Sequence, residues 1–285
     1  MIPVAFDYTK VNTVDEAVAA LVSGGEDAKI IAGGQSLMPV LRLRMAAPEV
    51  VIDISDVAEM QGVSDAGDAI VIGAGTTHHA VMNDPLVKTH APLIAMTTET
   101  VADPQIRHRG TFGGALAHAD PAGDLPAAAV ALDAVMTVAG PDGRRDIPAK
   151  DFFVDYFTTS LEPEDILVSI RIPKLGEGWA YHYEKFNRTA QGWAIVGVAA
   201  AVKRQNGSIE AARIGLTNMG PGPVRATSVE AALAGAAASD DAIAAAAENA
   251  TDGTRATSDL HAKADYREHL AKVLTKRAVA KAAGV

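Results

Sequence analysis

The sequence predicts an α/β (α+β) fold in two parts, and three observations carry that expectation. The 285 residues exceed a single typical domain, which runs to roughly 100 to 200 residues. The first fifty residues alternate strand and helix signals in the order β-α-β-α-β. From Trp179 onward the pattern changes to antiparallel strands followed by helices, and Lys174 to Gly178 (Lys-Leu-Gly-Glu-Gly) reads as the linker. The expected division is therefore residues 1–175, themselves parted into 1–55 and 56–175, followed by residues 179–285.

Each element has its own local cause. Thr13-Val14-Asp15-Glu16 is a capping box ahead of Ala17, Val18, Ala20, Leu21 and Val22, and Ser23-Gly24-Gly25 stops a helix of about ten residues. Lys29 to Ala32 is a short strand, Gly33-Gly34 a sharp turn, and Leu37, Val40, Leu41 and Met45 recur at helical spacing before Pro48 and the strand Val50 to Ile54. Ala69 to Ala74 is a strand and Pro92 to Ala102 a helix, followed by the glycine-rich loop Arg109-Gly110-Thr111-Phe112-Gly113-Gly114. Ala127 to Leu132 reads as helix, Ala134 to Ala139 as strand, Pro141 to Arg144 as a hairpin turn, and Ile166 to Ile172 as a strand closed by Pro173. In the second part, Trp179 to Phe186 and Ala194 to Lys203 are strands, and Asn206-Gly207 sets a type I′ hairpin returning as Ile209 to Thr217. Thr227 to Glu230 repeats the capping-box pattern, and Asp240 and Tyr266 begin two further helices. The last of these aligns Leu270, Val273, Leu274 and Arg277 along one side.

Composition removes several functions. Lys and Arg number 25 against 35 Asp and Glu, a net charge of −10, and that balance opposes a general nucleic-acid binder, which needs cations to neutralise phosphates. There is no cysteine, hence no disulfide, no Cys-type zinc site, no thiolate-ligated iron–sulfur cluster and no cysteinyl cofactor bond in this chain. The mean hydropathy of +0.12 is high, but it derives largely from alanine. Apolar stretches such as Ala194 to Val202 fall short of the ~18 residues of a membrane span. The opening Met1 to Asp7 lacks the basic and apolar regions of a secretory leader, so the expected compartment is the cytoplasm.

The strongest functional signal is a pair of glycine loops. Ala32-Gly33-Gly34-Gln35-Ser36 stands between a strand and a helix, where glycines let N–H groups converge on an anion such as a pyrophosphate. Thr111-Phe112-Gly113-Gly114-Ala115 repeats the arrangement, and two such loops suit a dinucleotide. Neither meets the Rossmann fingerprint, since Gly73-Ala74-Gly75-Thr76-Thr77-His78 has two of its three glycines, and no Gly-Lys pair exists for a Walker A loop. The eight histidines form no recognisable metal-ligand set, and Gly-x-Ser-x-Gly is missing, so Ser36 reads as a phosphate contact before a nucleophile. Arg107, His108 and Arg109 suit either phosphate neutralisation or a surface contact.

Three longer runs resemble a known family: Ile31 to Pro39 (Ile-Ala-Gly-Gly-Gln-Ser-Leu-Met-Pro), Ala102 to Gly114 (Ala-Asp-Pro-Gln-Ile-Arg-His-Arg-Gly-Thr-Phe-Gly-Gly) and Asp120 to Ala127 (Asp-Pro-Ala-Gly-Asp-Leu-Pro-Ala). In order and spacing they resemble the FAD-binding medium subunit of the molybdenum hydroxylases, nearest the aerobic carbon monoxide dehydrogenase type within the xanthine dehydrogenase family. The likeness spans the whole chain, including Ile2-Pro3, Phe6-Asp7-Tyr8 and Gly215 to Asn218.

The resemblance implies a two-part FAD domain of the vanillyl-alcohol-oxidase (PCMH) type and a C-terminal α/β domain covering the flavin. It implies that Ala32, Gly33, Gly34, Gln35 and Ser36, with Thr111, Gly113 and Gly114, hold the FAD pyrophosphate noncovalently. Ala115 stands where such proteins often carry Asn, which removes a side-chain donor and leaves backbone contacts. Thr76, Thr77, Ala102 and Phe186 match positions near the cofactor, Asp124 one that binds the adenosine ribose hydroxyls, Lys185 the lysine at the flavin's pyrimidine edge, and Trp193 an aromatic covering one ring face. A cation at Lys185 stabilises negative charge on the reduced ring. The implied function is electron transfer from partner [2Fe-2S] clusters through FAD to an external acceptor. The molybdenum cofactor would sit on a large subunit and the clusters on a small one, in a dimer of heterotrimers, with peripheral membrane association through the acceptor. The alternatives are a self-sufficient FAD oxidoreductase acting on a small organic substrate, or a flavin-free scaffold subunit.

Overall fold

The strands Asp7–Lys10 (β1), Ala28–Ile31 (β2) and Val50–Asp53 (β3) form a parallel sheet in the order β1-β3-β2 in a computed structural model describing residues 1–285. Helices Val14–Gly24 (α1) and Leu37–Arg42 (α2) make the crossovers. Thr13 caps α1, its hydroxyl accepting from the Glu16 N–H at 3.1 Å. The return bond of the expected box lands one residue upstream, where Glu16 accepts from the Asn12 N–H at 2.8 Å. α1 buries Val14, Ala17 and Leu21. Met45, expected on the apolar face of the second helix, is 75% exposed because α2 ends at Arg42.

Strands Val63–Asp65 (β4) and Ala69–Gly73 (β5) begin a five-stranded antiparallel sheet. Six helices then intervene: His78–Asn83 (α3), Pro85–His90 (α4), Pro92–Glu99 (α5), Pro104–Arg107 (α6), Phe112–His118 (α7) and Asp124–Ala131 (α8). Three of them open on proline, whose missing N–H costs nothing at a first helical position. The sheet resumes with Val135–Gly140 (β6) and Gly143–Pro148 (β7). After a short helix Ala149–Phe152 (α9) and a hairpin of Phe153–Asp155 (β8) with Thr158–Thr159 (β9), Ile166–Pro173 (β10) completes it in the order β4-β5-β10-β6-β7.

The C-terminal sheet takes Trp179–Phe186 (β11), Val196–Gln205 (β12), Ser208–Thr217 (β13) and Val224–Arg225 (β14) in sequence order. Asn206 and Gly207 close the β12–β13 hairpin with φ of 51° and 80°, the type I′ signature. Helices Thr227–Leu233 (α10), Asp240–Ala247 (α11) and Ala264–Ala283 (α12) follow. β12 is apolar on both faces because each face meets a different core: Ala199 and Ala201 join the core of the first part, whereas Val196, Val198, Ala200 and Val202 join that beneath α12. Every residue of α8 is buried, as the apolar run from Leu125 to Ala131 requires, since the helix packs against both β12 and β13; Asp124 at its start is the one charged member.

Two expectations for the helices fail for identifiable reasons. Thr227 does not cap α10 but is its first residue, after Ala226. Glu230 is drawn away, accepting from the Ile214 N–H at 2.6 Å and from Arg225, and these tertiary donors outcompete a local cap. On α12 Arg277 faces out, and the buried cation is Arg267, 1% exposed. Its guanidinium donates to the carbonyls of Ile195 and Thr257 and, at 2.6 Å, to Asp259. Lys272, Lys276 and Lys281 pair with Glu248, Asp240 and Glu184 at 3.0, 2.6 and 2.8 Å, so these lysines form ion pairs within the chain and no unpaired basic face. No helix is long and apolar enough to cross a membrane.

Candidate functional site

Between the two parts lies a cavity of about 780 Å³, within the range of small-molecule and cofactor sites, roughly 300 to 1,000 Å³. Its wall includes the first loop (Ala32 to Ser36), Ala102, Thr111, Gly113, Gly114, Ala115 and Asp124 from the first part, and Lys185 and Trp193 from the second. Thirteen of the expected positions thus converge, though Ala32 and Trp193 are separated by most of the chain.

The first loop leaves β2 and is pressed onto the second. A Cβ on Gly33 would stand 2.0 Å from the Arg109 carbonyl oxygen, so only glycine permits the crossing. Beyond it, none of the backbone N–H groups from Ala32 through Leu37 has a partner within the chain. Six consecutive unpaired donors in partly buried backbone are a conspicuous debt, and all six residues line the cavity. Ser36 makes no capping bond, leaving its hydroxyl free, whereas the Gln35 amide is turned back onto the Gly33 carbonyl at 3.0 Å.

The second loop differs from expectation. Its N–H groups are already spent: Phe112 on the Thr76 carbonyl, Gly113 on Ala74, Gly114 on the Thr111 hydroxyl and Ala115 on the Thr111 carbonyl, at 2.9 to 3.1 Å. The backbone contact left to Ala115 is therefore not free, because that N–H belongs to α7. Gly113 gives close approach instead, since a Cβ there would lie 2.3 Å from that of Ala74. Thr111 still has its hydroxyl proton to donate while capping α7.

Thr76 and Phe186 stand off the cavity. The Thr76 hydroxyl donates to the Gly62 carbonyl at 3.1 Å, and the Phe186 ring packs edge-on against Tyr266. Thr77 caps α3 through the Ala80 N–H and lines a smaller recess of about 460 Å³ that shares Ala32, Gly33 and Thr111 with the main cavity. Ala102 has φ of 43°, and Arg107 braces it by donating to the Val101 and Ala102 carbonyls at 2.8 and 3.4 Å. That geometry makes Arg107 a backbone brace, stacks His108 on His79 at the edge of the smaller recess, and puts Arg109 against the first loop.

Away from the loops, Asp124 is buried and accepts from the Tyr183 hydroxyl at 2.6 Å and from Lys185 Nζ at 2.8 Å. Lys185 also donates to the Thr100 carbonyl at 3.0 Å, which leaves one of its three N–H bonds. The two residues expected to act apart, Asp124 at the ribose and Lys185 at the pyrimidine edge, thus form one ion pair at a single point of the wall. Burial pushes the Asp124 carboxyl above the usual carboxylate range, against the pull of Lys185 and Tyr183. His78, also in the wall, is pushed down to about 4 by burial, is 4% exposed, and has no partner for Nδ1.

Sequence reasoning missed Leu37, Asp103, His118, Leu161, Gln191 and Gly192 in this wall. Asp103 alone carried a signal, as the N-cap before Pro104, bonded to the Ile106 N–H at 2.9 Å. The others are apolar or loop residues, or in His118 the last residue of α7, recognisable only once the two parts are packed.

The unpaired amide run, the glycine crossing and a cavity closed by a second domain define a dinucleotide-binding subunit outside the Rossmann and P-loop classes. Residues 4–175 match the family described as "FAD binding domain in molybdopterin dehydrogenase", and residues 181–282 the "CO dehydrogenase flavoprotein C-terminal domain". The chain belongs to this family of FAD-binding subunits of molybdenum-containing dehydrogenases, of the carbon monoxide dehydrogenase type. It is 39% identical to the carbon monoxide dehydrogenase medium chain of Hydrogenophaga pseudoflava, over 98% of this chain and 97% of that one. It is 34% identical to the glyceraldehyde dehydrogenase medium chain of Sulfolobus acidocaldarius, over 98% of each. Among solved structures, carbon monoxide dehydrogenase of H. pseudoflava lacking the Mo-pyranopterin moiety superposes with a TM-score of 0.96 at 41% identity, covering 100% of this chain and 99% of that one. The reconstituted enzyme of Oligotropha carboxidovorans gives 0.97 at 37%, with the same coverage.

Proposed function

We propose that this chain carries electrons from partner iron–sulfur clusters through noncovalent FAD to an external acceptor, in a complex whose large subunit oxidises carbon monoxide at molybdenum. The observation that carries the reading is the run of six free N–H groups from Ala32 to Leu37, on residues that line the cavity. Such donors match a diphosphate better than any neutral ligand. FAD supplies the one- and two-electron chemistry that no side chain here provides.

The residues divide the remaining work. The first loop, with the Ser36 hydroxyl, holds the pyrophosphate; Thr111, Gly113, Gly114 and Ala115 shape the opposite wall, with Thr111 donating. Ala102 brings a braced backbone to the cavity, and Thr77 lines the adjoining recess. Asp124 and Lys185 act together at the ring's polar edge, and Trp193, 58% exposed, covers a ring face at the mouth. The chain divides functionally at residues 175 to 179, the first part holding the cofactor and the second closing over it. Having no cysteine, it receives electrons across an interface from a small cluster-bearing subunit, in a cytoplasmic dimer of heterotrimers.

The test is direct. The purified chain supplemented with FAD should be yellow with one FAD per chain, and an absence of flavin absorbance from folded protein refutes the reading. Carbon monoxide should reduce the flavin in the assembled complex and not in the isolated flavoprotein; reduction of the latter by a small organic substrate would favour a self-sufficient oxidoreductase.

A further inference from the structure

Tyr183 takes no part in the cavity wall, yet it is the most constrained member of the polar cluster behind it. It lies on β11 beside β12, and its hydroxyl passes directly over Gly197, where a Cβ would stand 2.4 Å from the phenol oxygen. Thr217, opposite Gly197 in the β12–β13 register, approaches the same oxygen at 3.4 Å. From this slot the phenol donates to one oxygen of Asp124 at 2.6 Å, while Lys185 holds the other at 2.8 Å. The three polar groups are linked in series; Asp124 and Lys185 line the cavity, and Tyr183 stands behind them.

Resting on the FAD reading above, we propose that Tyr183 is a positioning residue that fixes the Asp124 carboxylate, which aims and neutralises Lys185, and thereby sets the reduction potential of the bound flavin. Burial already favours the protonated form of Asp124, and Tyr183 and Lys185 are what oppose it. Burial also keeps the phenol protonated, hence a donor. Without that donor an oxygen of Asp124 is left unpaired in a dry site, and uptake of a proton is its cheapest relief. The pair then changes from neutral to one net positive charge. Added positive charge beside the ring favours the reduced, electron-rich flavin, so the potential rises.

The experiment measures the flavin midpoint potential in the FAD-loaded complex for wild type, Y183F, D124N and the double variant. Y183F should raise it by at least a tenfold change in the oxidised-to-reduced ratio, about 30 mV for a two-electron couple. D124N should raise it too, and the double variant should match D124N alone, because Tyr183 acts through that carboxylate. An unshifted potential in flavin-loaded Y183F, or single shifts that simply add, overturns the inference while leaving the FAD reading intact. Absence of flavin from the wild type overturns both. Should Y183F fail to fold, G197A displaces the same phenol by steric contact and must shift the potential in the same direction; no shift refutes the proposal.

Discussion

Ser36 and Thr111 look alike in sequence, each a hydroxyl beside a glycine pair, but they do different work. Thr111 caps α7 through the Gly114 N–H, and Ser36 caps nothing. T111A should therefore cost about 1 kcal/mol of stability, read by urea unfolding. S36A should leave stability unchanged and weaken FAD by about tenfold, the loss of one charge-assisted hydrogen bond, read by fluorescence titration. The turn at Gly33-Gly34 was legible in the sequence because glycine is diagnostic; its crossing with Arg109, and which amides are idle and which spent, were not, since both loops spell the same pattern. His78 makes a further residue-scale prediction. Its native pKa of about 4 lies below the ordinary 6.5, so between those values the unfolded chain binds a proton that the native protein refuses. Stability then rises with pH through that window and is lost on acidification, by roughly 2 kcal/mol between pH 7 and 5. Burial lowers His118 in the same direction. Unfolding curves at the two pH values should show the loss, and H78Q should diminish it.

At the scale of elements, helices and hairpins followed local rules except where a distant partner made a better offer. The cap at Thr13 formed because its hydroxyl keeps the Glu16 N–H, while the Glu16 carboxylate is engaged one residue upstream by the Asn12 N–H. The same letters at Thr227 failed because Arg225 and the Ile214 amide lie within reach of Glu230, a proximity created only when β13, β14 and α10 assemble. T13A should accordingly cost about 1 kcal/mol and T227A almost nothing. E230A should cost about 1 to 3 kcal/mol, since it strands a buried amide; equal effects at Thr13 and Thr227 in thermal melts would contradict this account. Helix α8 shows the same limit. Its apolar run was readable as helix, but that it is buried all round follows from the C-terminal sheet and helices α5, α7 and α9 closing on it.

For the whole molecule, the change of pattern near residue 175 is visible in the sequence, whereas the cavity that straddles it is not. Loop amides come from the first part and Lys185 and Trp193 from the second, and β12 belongs to both cores. A ligand in that cavity therefore touches both parts at once. Free FAD at a hundred times its Kd should add about 2.7 kcal/mol to the stability of the chain. At about 2 to 4 °C per kcal/mol for a protein near this size, Tm rises by roughly 5 to 10 °C. Because the parts share β12 and the ligand, calorimetry should show one transition moving as a unit, in apoprotein and FAD-loaded protein alike. Two transitions, with FAD moving only the one assigned to residues 1–175, would mean that the C-terminal part contributes no binding energy, and the roles given to Lys185 and Trp193 would fall with it.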